Sequence, residues 1–235
     1  MFTASAEFYD AIYAFKDYGA ESAQVAALVR VLSPHARTVL DVGCGTGEHV
    51  RRLATEHGFE ADGLDLDPVL LSIARVKHPG GRFFEADMSE FSLGRHYDVI
   101  LSLFSSIGYL VTLDRVARAL RCFRQHLAPG GVVLVEPWFA PGVLEADRVA
   151  SHSATVNGAR VERTSRTEVT GRVSRLHFAY RIESASGTQQ VQEVHELGLF
   201  TPEELGATFS QSGLVATFEA SGLSERGLWT AHNAA

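Results

Sequence analysis

The fold of this chain of 235 residues is decided by the stretch Asp41-Val42-Gly43-Cys44-Gly45-Thr46-Gly47. It follows the apolar run 38–42, which predicts a short buried strand, and it precedes a helical pattern through Val50 and Leu53. Glycines between a strand and a helix let backbone N–H groups approach a ligand at the N-terminus of the helix. The stretch therefore predicts a ligand-binding loop after the first strand of a parallel sheet.

The composition of this loop discriminates between ligand classes. A phosphate-binding P-loop ends in Gly-Lys-Ser/Thr, and that ending is missing. A dinucleotide loop has the spacing G-x-G-x-x-G, whereas this loop has G-x-G-x-G and is followed by Glu48. Because a carboxylate at the start of the helix repels a pyrophosphate, the pattern favours a phosphate-free cationic ligand. S-adenosyl-L-methionine, which carries a sulfonium and an ammonium group, is such a ligand.

Acidic residues stand at the ends of three predicted strands. They are Asp41, Asp65 and Asp87. Asp65 is close to the offset of about 20 residues after the glycine loop at which a carboxylate reaches ribose hydroxyls. Asp87 is placed to accept a hydrogen bond from the adenine amino group, with Met88 against the ring. The ordered set predicts a nucleoside site.

Strand and helix patterns alternate as far as residue 137. The predicted strands are 38–42, one ending at 65, 83–87, 97–103 and 132–136, and the predicted helices are 7–18, 20–32, one through 50–54, one from Pro68, and 113–127. This alternation predicts a parallel sheet with helices on both faces.

The pattern changes near residue 150. Turn signals and alternating residues predict three antiparallel strands at 155–163, 172–183 and 189–200. Thr201-Pro202-Glu203-Glu204 then predicts a capped helix, followed by strands at about 215–221 and 227–232. We therefore expect a core of residues 1–150 and 200–235, with 151–199 inserted as a lid or a dimer contact.

Composition and charge exclude several classes of binding partner. The net charge is −7, which argues against nucleic acid, and no apolar run reaches the length of a membrane span. The first seven residues lack a signal-peptide pattern and there are two cysteines, so a cytoplasmic protein is expected. Neither C-x-x-C nor H-E-x-x-H occurs, so no metal is expected. A small-molecule acceptor remains, with a homodimer as a possible assembly.

Residues 38–137 and 200–232 resemble the class I S-adenosylmethionine-dependent methyltransferases, whose core motif is matched by LDVGCGTG at 40–47. The resemblance implies a Rossmann-like α/β sheet of seven strands, the last one antiparallel, here with the inserted antiparallel strands. Further stretches resemble the N,N-dimethyltransferases of macrolide pathways, which methylate the amine of thymidine-diphosphate-linked 3-amino-deoxysugars. These stretches are Tyr9-Asp10 with Tyr13, Lys16-Asp17-Tyr18, 103–110, 135–138 and 226–228.

The closer resemblance implies roles for individual residues. Tyr13 would face the substrate amine, Tyr109 and Arg226 would line the acceptor site, and Leu103 would flank the adenosine or the sulfonium. With the loop residues, the predicted cofactor-binding set is Tyr18, Asp41, Gly43, Gly45, Thr46, Asp65, Leu66, Asp87, Met88, Leu103 and Phe104. Tyr13 and Tyr109 are the predicted catalytic residues.

Several side chains near the predicted acceptor site leave alternatives open. Trp138 and Glu136 follow the fifth strand and are predicted substrate contacts, although Trp138 also suits the core and Glu136 a strand cap. His195 suits a base, but it is interpreted as a half-buried sheet residue because no neighbour in sequence adjusts its titration. The arginines of the insertion, Arg160, Arg163, Arg166, Arg172 and Arg175, suit either a diphosphate or a solvated strand face.

The sequence departs from the amino-sugar enzymes where the acceptor would bind. Residues 139–142 are Phe-Ala-Pro-Gly instead of the Trp-Phe-Pro-Glu pattern, and the family's Ser-His-Ser segment is matched only loosely near 164–166. Another natural-product amine or hydroxyl therefore remains an alternative acceptor, and a non-catalytic cofactor-binding protein remains an alternative function. For an amine, we expect in-line displacement with Tyr13 in a positioning role, because a tyrosine with a pKa near 10 is a poor base.

Overall fold

The computed structural model describes residues 5–234, so Met1–Ala4 of the N-terminal stretch lie outside the described residues. The helices are α1 (Tyr9–Ile12), α2 (Tyr18–Leu32), α3 (Glu48–His57), α4 (Pro68–Lys77), α5 (Leu113–His126) and α6 (Pro202–Gln211). The strands are β1 (Thr38–Val42), β2 (Glu60–Asp65), β3 (Phe83–Glu85), β4 (Tyr97–Ser102), β5 (Leu127–Val135), β6 (Val149–Val156), β7 (Ala159–Thr170), β8 (Val173–Ser184), β9 (Gly187–Gly198), β10 (Leu214–Glu219) and β11 (Leu228–Asn233). Short 3₁₀ helices cover Ala6–Phe8 and Ser106–Leu110.

Seven strands form one mixed sheet in the order β10-β11-β5-β4-β1-β2-β3. The pairs β1–β2, β1–β4, β2–β3 and β4–β5 are parallel. The last strand, β11, is antiparallel to both β5 and β10. The predicted Rossmann-like sheet with an antiparallel last strand is confirmed.

The inserted segment is a four-stranded antiparallel sheet in the order β6-β7-β8-β9, so the prediction of three strands is wrong. The predicted strand 155–163 contains Asn157-Gly158, which forms the turn between β6 and β7. Both residues have positive φ, +49° and +78°. An Asn-Gly pair of this conformation reverses the chain tightly, so the segment folds into two paired strands.

The predicted helix over 7–18 is also interrupted, because α1 ends at Ile12 and α2 begins at Tyr18. Asp17 caps α2 by accepting a hydrogen bond from the Ala20 backbone N–H at 2.9 Å. An N-cap residue has a non-helical backbone, so one helix cannot run through this position. The break leaves Tyr13 at the end of α1, packed against the inserted sheet.

Apolar side chains cover both faces of the seven-stranded sheet. Val25 and Leu71 belong to the cluster beneath α2, α3 and α4, and Phe123 and Phe209 belong to the cluster beneath α5 and α6. A third cluster joins α1 to one face of the inserted sheet. This inner face carries Val161, Arg163, Ser165, Leu176, Phe178, Tyr180, Glu193, His195 and Leu197. Within residues 5–234, no helix combines the length and apolar character needed to cross a membrane.

The predicted capping box of α6 is present and gives a test of the fold. Thr201 Oγ1 accepts from the Glu204 N–H at 3.2 Å, and the Glu204 carboxylate accepts from the Thr201 N–H at 2.8 Å. We expect Thr201→Ala to lower the free energy of unfolding by about 1 kcal/mol, because the Glu204 N–H loses its side-chain acceptor. Urea unfolding would measure it against Thr188→Ala, an exposed strand position. Equal midpoints for the two variants would contradict the expectation.

Candidate active site

A cavity of about 520 Å³ opens at the carboxyl edge of the seven-stranded sheet. It is lined by Gly43 and Gly45 after β1, Asp65 at the end of β2, Phe104 after β4 and Trp138 after β5. The inner face of the inserted sheet closes the opposite side. Ligands of open α/β sheets bind at this edge, because the carboxyl ends of parallel strands meet there.

Two groups of residues line the cavity. The acidic end includes Gly43, Gly45, Asp65, Leu66, Asp87 and Met88, with Arg115 paired to Asp87. The basic end consists of Tyr13, Tyr109, Trp138, Arg163, His195 and Arg226. The charges of the two ends therefore suit ligands of opposite sign.

The glycine loop is open at one position and tightly packed at another. Gly45 has a φ of +55°, and a Cβ built on it would meet no atom within 4 Å. Gly47 has a φ of +73°, and its Cβ would lie 2.9 Å from the Ala74 Cβ. Gly45 thus leaves room for a ligand, whereas Gly47 allows α3 to pack on α4.

Asp65 lines the acidic end and is anchored by backbone groups. Its Oδ2 accepts from the Gly45 N–H at 2.8 Å and its Oδ1 from the Asp67 N–H at 2.9 Å. Each carboxylate oxygen can still accept a second hydrogen bond. Leu66, which is 53% exposed, lies beside it at the cavity. The geometry therefore suits contact with two adjacent hydroxyls.

Asp87 lies two residues beyond the end of β3. Its carboxylate accepts from the Ser89 N–H at 2.8 Å, from the Ser89 hydroxyl at 2.7 Å and from Arg115 at 2.9 Å. Desolvation raises the pKa of Asp87, but these hydrogen bonds outweigh it and leave the pKa below its usual value. Asp87 is thus a fixed anionic acceptor, and Met88 lines the cavity next to it.

Asp41 is 2% exposed and does not line the cavity. Its Oδ1 has no hydrogen-bond partner among residues 5–234. Burial raises the pKa of Asp41 to about 6, although the nearby His49 and Lys16 oppose this shift. An unpartnered buried carboxylate is unfavourable, so a cation bound at the glycine loop would stabilise it.

Three other predicted cofactor residues do not line the cavity. Thr46 donates a hydrogen bond to Asp10 at 2.6 Å and accepts one from Lys77 at 3.1 Å, so its side chain serves the loop and not the cavity. Tyr18 lines a neighbouring pocket together with Asp10 and Lys77. Leu103 is 2% exposed within the core.

The two predicted catalytic tyrosines both reach the basic end. Tyr13 is 8% exposed, and the Arg163 guanidinium lies 4.7 Å from its ring centroid. Tyr109 is 37% exposed, and this surface opens into the cavity. Burial within the protein raises the pKa of both phenols, so both keep their protons at neutral pH.

Glu136 binds Arg226 and does not line the cavity. It is 1% exposed and accepts hydrogen bonds from Arg226 Nη2 and from the Phe104 N–H, both at 2.6 Å. Arg226 and Trp138 do line the cavity, and Trp138 Nε1 donates to Ser174 Oγ at 2.8 Å. A direct substrate contact by Glu136, as the sequence predicted, therefore has no support in this geometry.

The sequence left open the roles of two side chains of the inserted sheet that line the cavity. Arg163 is 4% exposed and lines the cavity, whereas the sequence left it between a ligand contact and a solvated face. His195 is 1% exposed, and Tyr109 and Glu193 both lie within hydrogen-bond distance of its ring. The interpretation of His195 as a half-buried residue without such a neighbour is wrong. Strand alternation places both residues on one face, but it does not identify the face that covers a cavity.

The residues present fit a cationic nucleoside. The open space beside Gly45, the orphaned Asp41 oxygen and the two anchored carboxylates would hold a ribose, an adenine and a positive charge. Among residues 5–234, no group of three or more His, Cys, Asp or Glu side chains could hold a metal ion. Fold and site together define a methyltransferase that uses S-adenosyl-L-methionine.

Comparison with known proteins agrees with this class. Residues 39–131 match the family model described as a methyltransferase domain. The dTDP-3-amino-3,6-dideoxy-alpha-D-glucopyranose N,N-dimethyltransferase of Streptomyces fradiae is 39% identical over 96% of this chain and 89% of that protein. The dTDP-3-amino-3,4,6-trideoxy-alpha-D-glucopyranose N,N-dimethyltransferase of Streptomyces venezuelae is 37% identical over 95% of each chain.

Solved structures give the same result. The crystal structure of Streptomyces venezuelae DesVI has a TM-score of 0.90 at 35% identity and covers 98% of both chains. The SAM-bound structure of CalS10, an amino pentose methyltransferase from Micromonospora echinaspora, has a TM-score of 0.81 at 36% identity and covers 92% of this chain and 91% of that one. The chain therefore belongs to the family of dTDP-amino-sugar N,N-dimethyltransferases.

Gly45 and Gly47 both have positive φ, so alanine strains the backbone at either position, but only Gly47 also lacks space for the new methyl group. We expect Gly45→Ala to fold but to bind S-adenosylhomocysteine at least about tenfold more weakly, because the new methyl group fills the open space beside the loop. Gly47→Ala instead forces a close contact with α4, so it should lower the free energy of unfolding by more than about 1 kcal/mol. Calorimetry and urea unfolding would measure the two effects. Unchanged affinity in Gly45→Ala would remove that glycine from the site.

The raised pKa of Asp41 predicts a pH-dependent stability. A carboxyl group whose folded pKa lies above its unfolded value destabilises the fold once pH rises through the unfolded value, and the penalty is complete above the folded pKa of about 6. We expect Asp41→Asn to stabilise the ligand-free protein by about 1–3 kcal/mol at pH 8, with the gain shrinking toward pH 4. Urea midpoints across pH would measure it, with Glu145→Gln, at an exposed loop position, as control. A gain independent of pH would contradict the assignment.

Proposed function

We propose that this enzyme methylates the amine of a nucleotide-linked amino sugar. The relatives named above act on dTDP-linked amino sugars, and their matches extend over nearly the whole chain. When bound, S-adenosyl-L-methionine supplies an electrophilic methyl group on a sulfonium. The residues of this chain bind and orient the two reactants, which is a large part of catalysis for an already activated donor.

The burial of Arg163 without a salt bridge is the observation that supports an anionic acceptor. Its Nε and Nη1 have no hydrogen-bond partner within residues 5–234, and no carboxylate of that range forms a salt bridge with it. Its guanidinium lies over the rings of Tyr13 and Phe178, at 4.7 and 4.8 Å, which compensates only part of its lost hydration. A buried, unpaired charge is strongly unfavourable, so an anionic ligand in the cavity would offset it. A diphosphate has this charge.

Arg226 differs from Arg163 in its charge balance. Its salt bridge with the buried Glu136 neutralises it, although its Nε has no hydrogen-bond partner in the described chain. Arg226 can therefore donate a hydrogen bond to the acceptor without adding net charge. Arg163 is therefore the cationic side chain of the basic end that lacks a salt bridge within residues 5–234.

Tyr13 is proposed to position the amine. Arg163 donates a hydrogen bond toward its phenol and lowers its pKa, but burial outweighs this and keeps the phenol protonated. A protonated phenol at neutral pH is no base by itself. Its location beside Phe104 and Arg163 instead suits orientation of the acceptor between the two ends of the cavity.

The inserted strands are proposed to act as a lid over the acceptor, because their inner face supplies Arg163, Phe178 and His195 to the cavity wall. A homodimer is proposed as well, and its test is the molar mass in solution. The cytoplasm is the proposed location, which agrees with Cys44 and Cys122 being free thiols.

A transfer assay with Arg163→Met tests the acceptor class. We expect the wild-type enzyme to methylate dTDP-3-amino-3,6-dideoxyglucose and to prefer it at least about 100-fold in kcat/KM over the same amino sugar without the nucleotide diphosphate. Arg163→Met should weaken dTDP binding about tenfold to 100-fold, the value of a charge-assisted hydrogen bond. Transfer of labelled methyl groups and calorimetry with dTDP are the measurements.

Arg160→Met provides the matched control, because Arg160 lies on the same strand but is exposed on the opposite face. It should leave dTDP affinity unchanged. Thermal unfolding should show that Arg163→Met folds at least as stably as the wild type, since an unpaired buried charge has been removed. Equal turnover of the free amino sugar and its nucleotide form would rule out the proposed substrate.

A further inference from the structure

A buried chain of hydrogen bonds runs away from the cavity through Tyr109. The Tyr109 hydroxyl lies 3.1 Å from His195 Nδ1, and His195 Nε2 lies 3.4 Å from Glu193 Oε2. The side chain of His195 is fully buried and that of Glu193 is 7% exposed, whereas Tyr109 opens into the cavity. The order is therefore a hydroxyl facing the ligand, an imidazole behind it and a carboxylate behind the imidazole.

The negative charge of Glu193 determines which atoms of this chain of hydrogen bonds carry protons. Desolvation raises the pKa of Glu193, but hydrogen bonds from His195 and Ser5 outweigh it, so Glu193 is a carboxylate that only accepts. The imidazole therefore carries its proton on Nε2 and leaves Nδ1 as an acceptor for the Tyr109 O–H. With its own proton directed at His195, the Tyr109 oxygen presents its lone pairs to the cavity.

We propose that Tyr109, His195 and Glu193 form a proton relay that receives the proton of the acceptor amine. Tyr109 is the catalytic member, since it faces the acceptor, and His195 and Glu193 are positioning residues that act through it. The inference rests on the proposed amine acceptor. Its physical reason is that an ammonium group has no lone pair to attack a methyl group, whereas a neutral amine has one.

The proton balance of the relay is complete within the named groups. An acceptor R–NH₃⁺ gives a proton to Tyr109 Oη while the Tyr109 hydroxyl proton moves to His195 Nδ1. This leaves R–NH₂ in the cavity and an imidazolium next to the Glu193 carboxylate. Methyl transfer to R–NH₂ forms the ammonium R–NH₂⁺–CH₃, and the imidazolium then returns its proton by the reverse path to water in the open cavity. With the relay neutral again, a monomethylated ammonium that stays bound can give up its own proton by the same path before a second transfer.

The surroundings of His195 favour such a transient charge on one side and oppose it on the other. Glu193 on its own strand stabilises an imidazolium. The other charged or titratable groups that face this cluster in the described chain are Arg163 on β7, the Asp65 carboxylate at the end of β2, and the phenols of Tyr9 on α1, Tyr13 just after α1 and Tyr180 on β8. Arg163 opposes a positive charge on His195 until an anionic acceptor neutralises it. The relay is thereby coupled to occupation of the basic end.

The pH dependence of turnover tests the relay. We expect Tyr109→Phe and His195→Asn to lower kcat at pH 7 about 10-fold to 100-fold on dTDP-3-amino-3,6-dideoxyglucose, with KM for both substrates within about threefold of wild type. Activity should recover toward the wild-type value near pH 9, because amines of the α-amino kind lose their proton near pH 8 in water. The double variant should be no worse than the poorer single variant.

Two further variants give an intermediate effect and a control. Glu193→Gln still accepts a hydrogen bond from His195 Nε2 but lacks the charge, so its loss at pH 7 should be smaller than that of His195→Asn. His177→Asn is the matched control: His177 is a half-exposed histidine of β8 that also lies near a carboxylate, Glu168 at 3.1 Å. It should keep the wild-type pH profile. A loss of the same size at every pH would assign only a structural role to the three residues.

Nitrogen-15 NMR of the histidine rings gives a readout that needs no substrate. His195, assigned by the loss of its signals in His195→Asn, should carry its proton on Nε2 at pH 8, and Tyr109→Phe should shift its Nδ1 resonance. A proton on Nδ1 would overturn the relay whatever the acceptor is. If the tautomer is as expected and the wild type methylates none of the dTDP sugars, the proposed function fails while the hydrogen-bonded chain stands.

Discussion

The change of direction in strand order beside β1 is the constraint on which the site depends. β1 lies between β2 and β4, and the helices that follow β1 and β4 pack on opposite faces of the sheet. The connections therefore separate at the carboxyl edge and leave a crevice between them. The glycine loop, Asp65 and Phe104 reach one cavity because each follows a strand that ends at this edge.

The cavity combines two opposite electrostatic environments. Its acidic end has carboxylates that are anchored by backbone N–H groups or by Ser89, with the buried Asp41 nearby. Its basic end has the unpaired Arg163 and the neutralised Arg226. A cationic nucleoside and an anionic acceptor would each complete the charge balance at one end. The same arrangement discourages either ligand from binding in the place of the other.

Buried groups without partners explain why this site is not arranged for maximal stability. The Asp41 carboxylate has a raised pKa, and two nitrogens of Arg163 have no hydrogen-bond partner within residues 5–234. Each would destabilise an isolated domain. Buried charged groups without hydrogen-bond partners are typical of functional sites, where ligands supply the missing interactions. The well-packed core beneath the helices tolerates them.

Periodic local patterns account for what was predictable from the sequence. Apolar runs followed by glycines or acids placed β1, β2 and β4 and the acidic end of the cavity, because strand direction carries residues at strand ends to one edge. The inserted strands were harder, since Asn157-Gly158 lies inside a stretch of strand-like residues and splits it. The break between α1 and α2 was also missed, because Asp17 ends the helical pattern by its side chain and not by its hydropathy.

The sequence by itself thus determined the sheet, its glycine loop and the acidic end that suits a cationic cofactor. Only the tertiary structure decided which face of the inserted sheet covers the cavity, and with it that Arg163 and His195 line the cavity wall. Tyr109 and His195 are 86 residues apart, and no local pattern connects them. Alternation along a strand is a property of the chain, but the choice of the buried face follows from packing against α1 and the sheet edge.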